Sequence, residues 1–385
     1  MTKAELTQHV SAIRGLAERW LVEVSDDPAV DAVDGNFVCS PAGLWLGLAA
    51  AAAGARAGTA EELRSLVGAA GQEAAAAASA TTGALAETDG LTVATGVWAR
   101  TPVYREYRES LPEIRFGHLA PSAPDAASAI NAWVREATRG LIGALPLRQD
   151  SEALLVLVNA LALRADWQSP FRPQDTAERP FTDERGVEHL VPTMFQQLPR
   201  PAHAWTAPGP SGSPVGVVAL RCMAGAGQRP VQVSFVLGEP GQPAAEVLPA
   251  AWAPHDQRRP VEADAVTFAL PRLCLRTGLD VTRHLPALGA ARAVSGRADF
   301  SGMSPESSVI GQFVQESLLR VNERGLEAAA VTGYSHVRSV RVRPPVIRHL
   351  AFDRPFGIVV FDGSALPLFT AWQSAAPMGA DRKGT

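Results

Sequence analysis

Val10, Ile13, Leu16, Trp20, Leu21 and Val24 recur at three- and four-residue spacing, so they form one apolar stripe along a helix. NFVCSPAG, which comes next, reads as a short buried strand closed by Ser-Pro. LWLGLAAAAAGARAG is apolar on every side, which predicts a helix buried all round and ended by Gly54 and Gly58. Thr59 and Glu62 have the spacing of a capping box for the following helix, whose stripe includes Leu63 and Leu66. GAAGQEAAAAASATTGAL is most simply a helix with weak packing.

After Thr92 the texture changes. LTVATGVWAR alternates apolar and small polar residues, the period of a strand. AINAWVREATRGLIGAL is helical and ends near Gly140. LLVLVNALALRADW is a continuous Leu- and Val-rich run, the pattern of a strand covered on both faces. VGVVALRCMA, VQVSFVLG, VTFALPRLCL, SLLRVNE and FGIVVFDG are further strands, with GPSGSP and GEPGQP as turns. No long linker or internal repeat divides the chain. Helices come first and strands later, which predicts one compact α+β domain over residues 1–385.

Composition narrows the function classes. Only 19% of the residues are charged and the formal net charge is -4, so no basic face for nucleic acid is expected. Cys39, Cys222 and Cys274 are odd in number, lack CxxC spacing and sit in apolar runs, which reads as buried thiols. The N-terminus shows no signal-peptide core, and the longest apolar run, Leu44 to Ala53, is far below the ~20 residues of a membrane span. A soluble, cytoplasmic chain is expected. Phosphate loops, GxSxG and HExxH are absent, and the aspartates of EVSDDPAVDAVDG lack calcium-loop spacing, so that stretch reads as a solvated turn. No cofactor, metal or catalytic constellation is expected.

VNERGLEAAAV, Val321 to Val331, changes the direction of the argument. It resembles the hinge of the serpin family: an acidic residue, a glycine, then small residues entering a long exposed loop. FDRPFGIVVFDGSALPLF resembles the serpin C-terminal strand pair. AINAWVREATRGLI followed by LVLVNALALRADWQSPF resembles the family's central helix, sheet strand and breach tryptophan. NFVCSPAGLWLGLAAAAAGARAGTAEEL and LPRLCLRTGLDVTRHLPALGAARAVSGRADFSGMSPE resemble an early strand with its buried helix and a later strand–helix–turn block. The five blocks occur in family order across nearly the whole chain.

The resemblance implies a large central sheet, a reactive loop near 324–345, and suicide inhibition of a serine protease by a monomeric inhibitor. The hinge is then Glu323, Gly325, Leu326, Ala328, Ala329 and Ala330. The alanines carry no bulk and little rotamer entropy, so they can enter a sheet without clashing with the core beneath. An inserted strand and its lead take about 17 residues at roughly 3.3 Å each. Counted from Glu323, this puts the cleaved bond at Arg338–Ser339, which suits a trypsin-like protease, with Arg341 and Arg343 as rivals.

Several positions match or depart from the family pattern. Ser40 and Asn159 match a polar cluster that governs sheet opening, and Trp167 matches the breach tryptophan. Gly43 stands where a serine is expected, Gln315 where a histidine is, Ala371 where a glycine is, and Leu326 where a small residue is. The departures keep two alternatives open: a non-inhibitory serpin that binds a ligand or partner, and a serpin scaffold recruited as a biosynthetic enzyme.

Overall fold

A computed structural model describes residues 3–148, 153–198, 200–209, 212–306, 309–326 and 345–377. The chain opens on α1 (Lys3–Ser25), then α2 (Pro28–Asp31), β1 (Phe37–Cys39), α3 (Pro41–Gly54), α4 (Ala57–Val67) and α5 (Gln72–Ala86). β2 (Leu91–Ala99), α6 (Arg105–Glu109), β3 (Arg115–His118), α7 (Ala123–Ala137), β4 (Leu155–Leu163) and β5 (Ala165–Asp166) follow. Next come β6 (Ala177–Thr182), β7 (Glu188–Gln197), β8 (Ala204–Pro208), β9 (Pro214–Arg221) and β10 (Gln232–Leu237). After these lie α8 (Ala244–Val247), β11 (Arg259–Pro260), β12 (Ala265–Pro271), β13 (Leu273–Asp280) and α9 (Leu285–Leu288). The chain closes with β14 (Ile310–Val321), β15 (Gly325–Leu326), β16 (Ile347–Ala351), β17 (Phe356–Phe361) and β18 (Pro367–Gln373).

These strands form three sheets, giving the expected α+β architecture. One runs β1-β18-β17-β10-β9-β8-β11, and its central hairpin β17–β18 is buried along its whole length. A second runs β16-β12-β7-β6. The third runs β3-β2-β4-β14, with β13 on the far edge of β14, and it carries the site described below. Helix α3 lies under it. Every residue of α3 is buried, as its all-round apolar sequence predicts. Ser40 caps it by accepting from Gly43 N at 3.0 Å, and the Trp45 indole donates to the Val67 carbonyl. The α1 stripe is buried at each of its six positions.

The structure departs from the sequence reading at instructive places. Thr59 and Glu62 form no capping box: α4 begins earlier, and Arg56 at its N-cap makes no capping bond through its side chain. Thr59 Oγ1 instead accepts from Asp299 N, and Glu62 accepts from Arg292 N. Both side chains thus anchor a segment more than 200 positions away in sequence, a tertiary demand that local spacing cannot show. VTFALPRLCL breaks at Arg272 into β12 and β13, which belong to different sheets. The alanine-rich α5 is well packed, with Ala74, Ala75, Ala77 and Ala78 buried. The aspartate stretch is no solvated turn throughout: Asp27 is buried, caps α2 through Ala29 N, and meets His284 Nε2 at 2.8 Å. The Trp20 indole donates to His284 Nδ1 at 2.9 Å, which fixes the proton of the neutral ring on Nε2. Cys39 and Cys222 are buried and Cys274 is half-buried, none of them bridged.

Candidate functional site

The third sheet contains a seam. β4 and β14 run parallel, paired from Leu155 opposite Ile310 to Leu161 opposite Ser317, while their outer neighbours β2 and β13 are antiparallel to them. Beyond Leu161 and Ser317 the two strands diverge, and β15 fills the gap. Leu326 lies opposite Val321 of β14 on one side and Ala165 of β5 on the other; Gly325 lies opposite Asp166. β15 is antiparallel to both neighbours. The chain therefore turns back at the end of β14 and starts a new strand in the mouth of the seam.

The turn that does this is built from VNERGL. Asn322 Oδ1 accepts from Arg324 N at 2.9 Å and from Gly325 N at 3.3 Å, an Asx-type turn. Trp167 is buried and locks the same turn: its indole donates to the Asn322 carbonyl at 2.9 Å and its backbone N–H to the Arg324 carbonyl at 2.8 Å. Edge-on contacts with Phe171 and Phe235 hold the ring. Gly325 is required by close approach rather than by its φ. A Cβ there would sit 2.1 Å from the Ala165 carbonyl oxygen and 2.7 Å from Asp166 Cα. Leu326, which stands where a small residue is expected, is fully buried in the main core, where such a side chain contributes about 1.5–3 kcal/mol.

Glu323 anchors the base of the turn. Its carboxylate accepts from Arg272 Nε at 2.7 Å and from Thr176 Oγ1 at 2.6 Å. Burial alone would raise this carboxyl, but the hydrogen bonds from Arg272 and Thr176 outweigh it and hold the group below the ordinary glutamate value. Arg272 is the residue that separates β12 from β13, so the break between sheets also supplies this turn with its cation.

Below the mouth, a polar chain crosses the seam. Gln315 and Asn159 face each other in register. Gln315 Oε1 accepts from Ser40 N at 2.7 Å; its Nε2 donates to the Ser40 carbonyl at 3.0 Å and to Asn159 Oδ1 at 3.2 Å. Asn159 Nδ2 donates to Thr95 Oγ1 at 3.0 Å, and Ser40 Oγ donates to the Leu368 carbonyl at 2.6 Å. The sequence-predicted trio thus meets, and Thr95 of β2 joins it. Thr95 was missed because a threonine on a strand carries no signal of its own. Asn322, Arg272 and Thr176 were missed as well, although an asparagine three residues before Gly325 is a readable turn signal. Gly43 also acquires a reason: a Cβ there would lie 1.8 Å from Asn159 Oδ1, so the amide occupies the room a serine would need. Gly47 is equally constrained, by Phe313 at 2.4 Å.

Ala328, Ala329, Ala330, Arg338, Ser339, Arg341 and Arg343 lie outside the described residues. Among the described residues no helix is long and apolar enough to cross a membrane, and no cluster of His, Cys, Asp or Glu has the makings of a metal site.

A family model described as Serpin (serine protease inhibitor) matches residues 22–372. The chain belongs to the serpin family. Human neuroserpin is 28% identical to this serpin over 251 residues, covering 62% of this chain and 60% of the relative. The chain thus aligns with less than two thirds of the length of the curated relatives it matches. Serpin48 from the insect Tenebrio molitor has the same fold, with a TM-score of 0.77 at 24% identity, covering 96% of this chain and 98% of that one. A thyroxine-binding globulin complex with thyroxine superposes with a TM-score of 0.75 at 18% identity, covering 97% of this chain.

Proposed function

We propose that this serpin, acting as one domain, inhibits a trypsin-like serine protease as a suicide substrate. The observation that carries the reading is β15: a two-residue strand already seated in the mouth of a parallel seam, antiparallel to both walls. A strand continuing from Leu326 in the same direction would replace one parallel ladder by two antiparallel ones, and parallel pairing is the weaker per residue. Roughly 12 added strand residues, at ~1 kcal/mol net per hydrogen bond, release on the order of 10 kcal/mol, comparable to the stability of a whole domain.

The chemistry belongs to the protease. Its serine attacks the carbonyl of Arg338, the amine of Ser339 leaves with a proton, and an ester links Arg338 to the enzyme. The freed loop enters the seam as a strand, the Ser40–Gln315–Asn159 chain gives way, and the tethered protease is displaced before water reaches the ester. Glu323, Asn322 and Trp167 fix where the new strand begins. The experiment is incubation with trypsin followed by denaturing electrophoresis. An SDS-stable covalent band supports the reading. Cleavage at Arg338–Ser339 with no band would favour the ligand-carrier alternative that the thyroxine-binding globulin neighbour brings to mind.

A further inference from the structure

Gln315 points toward α3, so its neighbour on β14, Glu316, points to the opposite face of the sheet. Residues 138–148, which follow α7, cover that face. Ile142 and Leu145 share one apolar cluster with Val158 of β4 and Val314 of β14. Pro146 reaches on to β13, where a Cβ added to Gly278 would lie 3.2 Å from its ring. This segment therefore straddles the seam from wall to wall. Glu316 lies beneath its far end and is 5% exposed. Arg276 Nε donates to Oε1 at 2.6 Å and is the carboxylate's only hydrogen-bond partner among the described residues. Oε2 occupies the room that Gly278 leaves, since a Cβ there would come within 2.5 Å of it. The other elements packed around it bring no second partner. β4 presents Ala160 in register, and β14 itself presents Val314 and Leu318 on this face. Asp280 of β13 lies 3.7 Å from Arg148 and 4.0 Å from Arg283, and Arg148 donates to the Gly311 carbonyl.

An ionised carboxylate has about four acceptor sites. Here it is buried with one donor, from an arginine whose own side chain is 54% exposed. A charge taken from water with so little in return is costly. Burial accordingly outweighs Arg276 and raises the carboxyl above its ordinary value of 4.5. We propose that Glu316 is a charge held in the closed sheet that sets how readily the seam opens. Ionised, it regains water when residues 138–148 lift from β13 and β14; neutral, it lets them settle. The proton is then a ligand of the closed state, and it shifts the equilibrium through its differential affinity for closed and open forms. Closure is favoured most below pH 4.5 and weakens as pH rises through the raised value. Faster entry of the cleaved loop at neutral pH than in acid is a consequence, and it rests on the inhibitor reading; the opening itself does not.

The test is hydrogen exchange of the intact, uncleaved chain from about pH 4 to about pH 8, with each rate divided by that of the unstructured peptide at the same pH. In the parent, opening of residues 138–148 and of β13 and β14 should increase about fivefold or more as pH rises, the lower end of ordinary coupling between a ligand and a conformational change. Glu316→Gln keeps the shape and the bond from Arg276, so it should open to the parent's acid extent at every pH. Arg276→Met removes the partner and leaves the charge, so it should open more than the parent at neutral pH. Circular dichroism reports whether the variants fold, and the parent's own profile stands without them. A parent whose opening stays level or falls as pH rises, a folded Glu316→Gln that follows the parent's profile, or a folded Arg276→Met that opens less than the parent would each overturn the proposal. No protease takes part, so failure here and failure of the inhibitor reading are separate results.

Discussion

The polar chain across the seam gives a prediction with a magnitude. Gln315→Leu removes four hydrogen bonds and strands Ser40 N–H, Asn159 Oδ1 and the Ser317 hydroxyl, while the Ser40 carbonyl keeps the Leu44 N–H, all in a region with essentially no access to water. Each buried orphan costs about 1–3 kcal/mol, and burial of the leucine returns about 2 kcal/mol. The net loss is on the order of 3 kcal/mol. Unfolding entropy is roughly 2 cal/mol/K per residue. For 385 residues this is about 0.8 kcal/mol/K, so the melting temperature should fall by about 4 °C. Location is the sharper part of the test. Hydrogen exchange of Gln315→Leu should lose protection first in β4 and β14. Tyr107→Phe, which removes the hydroxyl's hydrogen bond to the Ala50 carbonyl in the same core, should not show this pattern when each variant is compared at the same distance below its melting point. A Gln315→Leu protein as stable as the parent, or one that loosens uniformly, would show that these bonds do not hold the seam.

Cleaving the loop should raise the melting temperature strongly, because the freed hinge continues β15 as a full strand; calorimetry showing equal melting of cut and intact protein sinks insertion. Arg338→Ala should abolish the covalent band with trypsin and Arg341→Ala should spare most of it, since only an arginine in the protease pocket gains the paired bond; loss with Arg341→Ala alone would move the bond. Glu323 has a folded-state pKa below its ordinary value of 4.5, so its contribution is present above that pH and is lost as pH falls through the folded value. Urea midpoints of the parent and Glu323→Gln should therefore differ most near neutrality and converge as pH drops below 4.5; a gap that stays constant would assign the loss to packing. Gly325→Ala should push β15 out of the mouth, because its Cβ meets backbone rather than a flexible side chain; trypsin would then cleave the variant as a substrate with little covalent complex.

The sequence by itself determined the elements whose signal is local. The α1 stripe, the all-apolar α3 and the Leu- and Val-rich β4 are readable because burial on one face, on all faces or on both faces imposes its own period on the residues. Gly325 belongs with them, since a glycine is a local statement about bulk, and the Ala165 carbonyl leaves no room for a Cβ there. What the tertiary structure alone decided are the partners. Thr59 and Glu62 have helix-cap spacing, yet segments far along the chain offered them better donors. Asp27 resembles a solvated residue until His284 is folded against it. Ser40, Thr95, Asn159 and Gln315 become one hydrogen-bonded chain only because β4 and β14 pair in a single register over α3. Hydrogen bonds act within about 3 Å, and no pattern along the chain encodes a separation of that size between residues 64 to 275 positions apart.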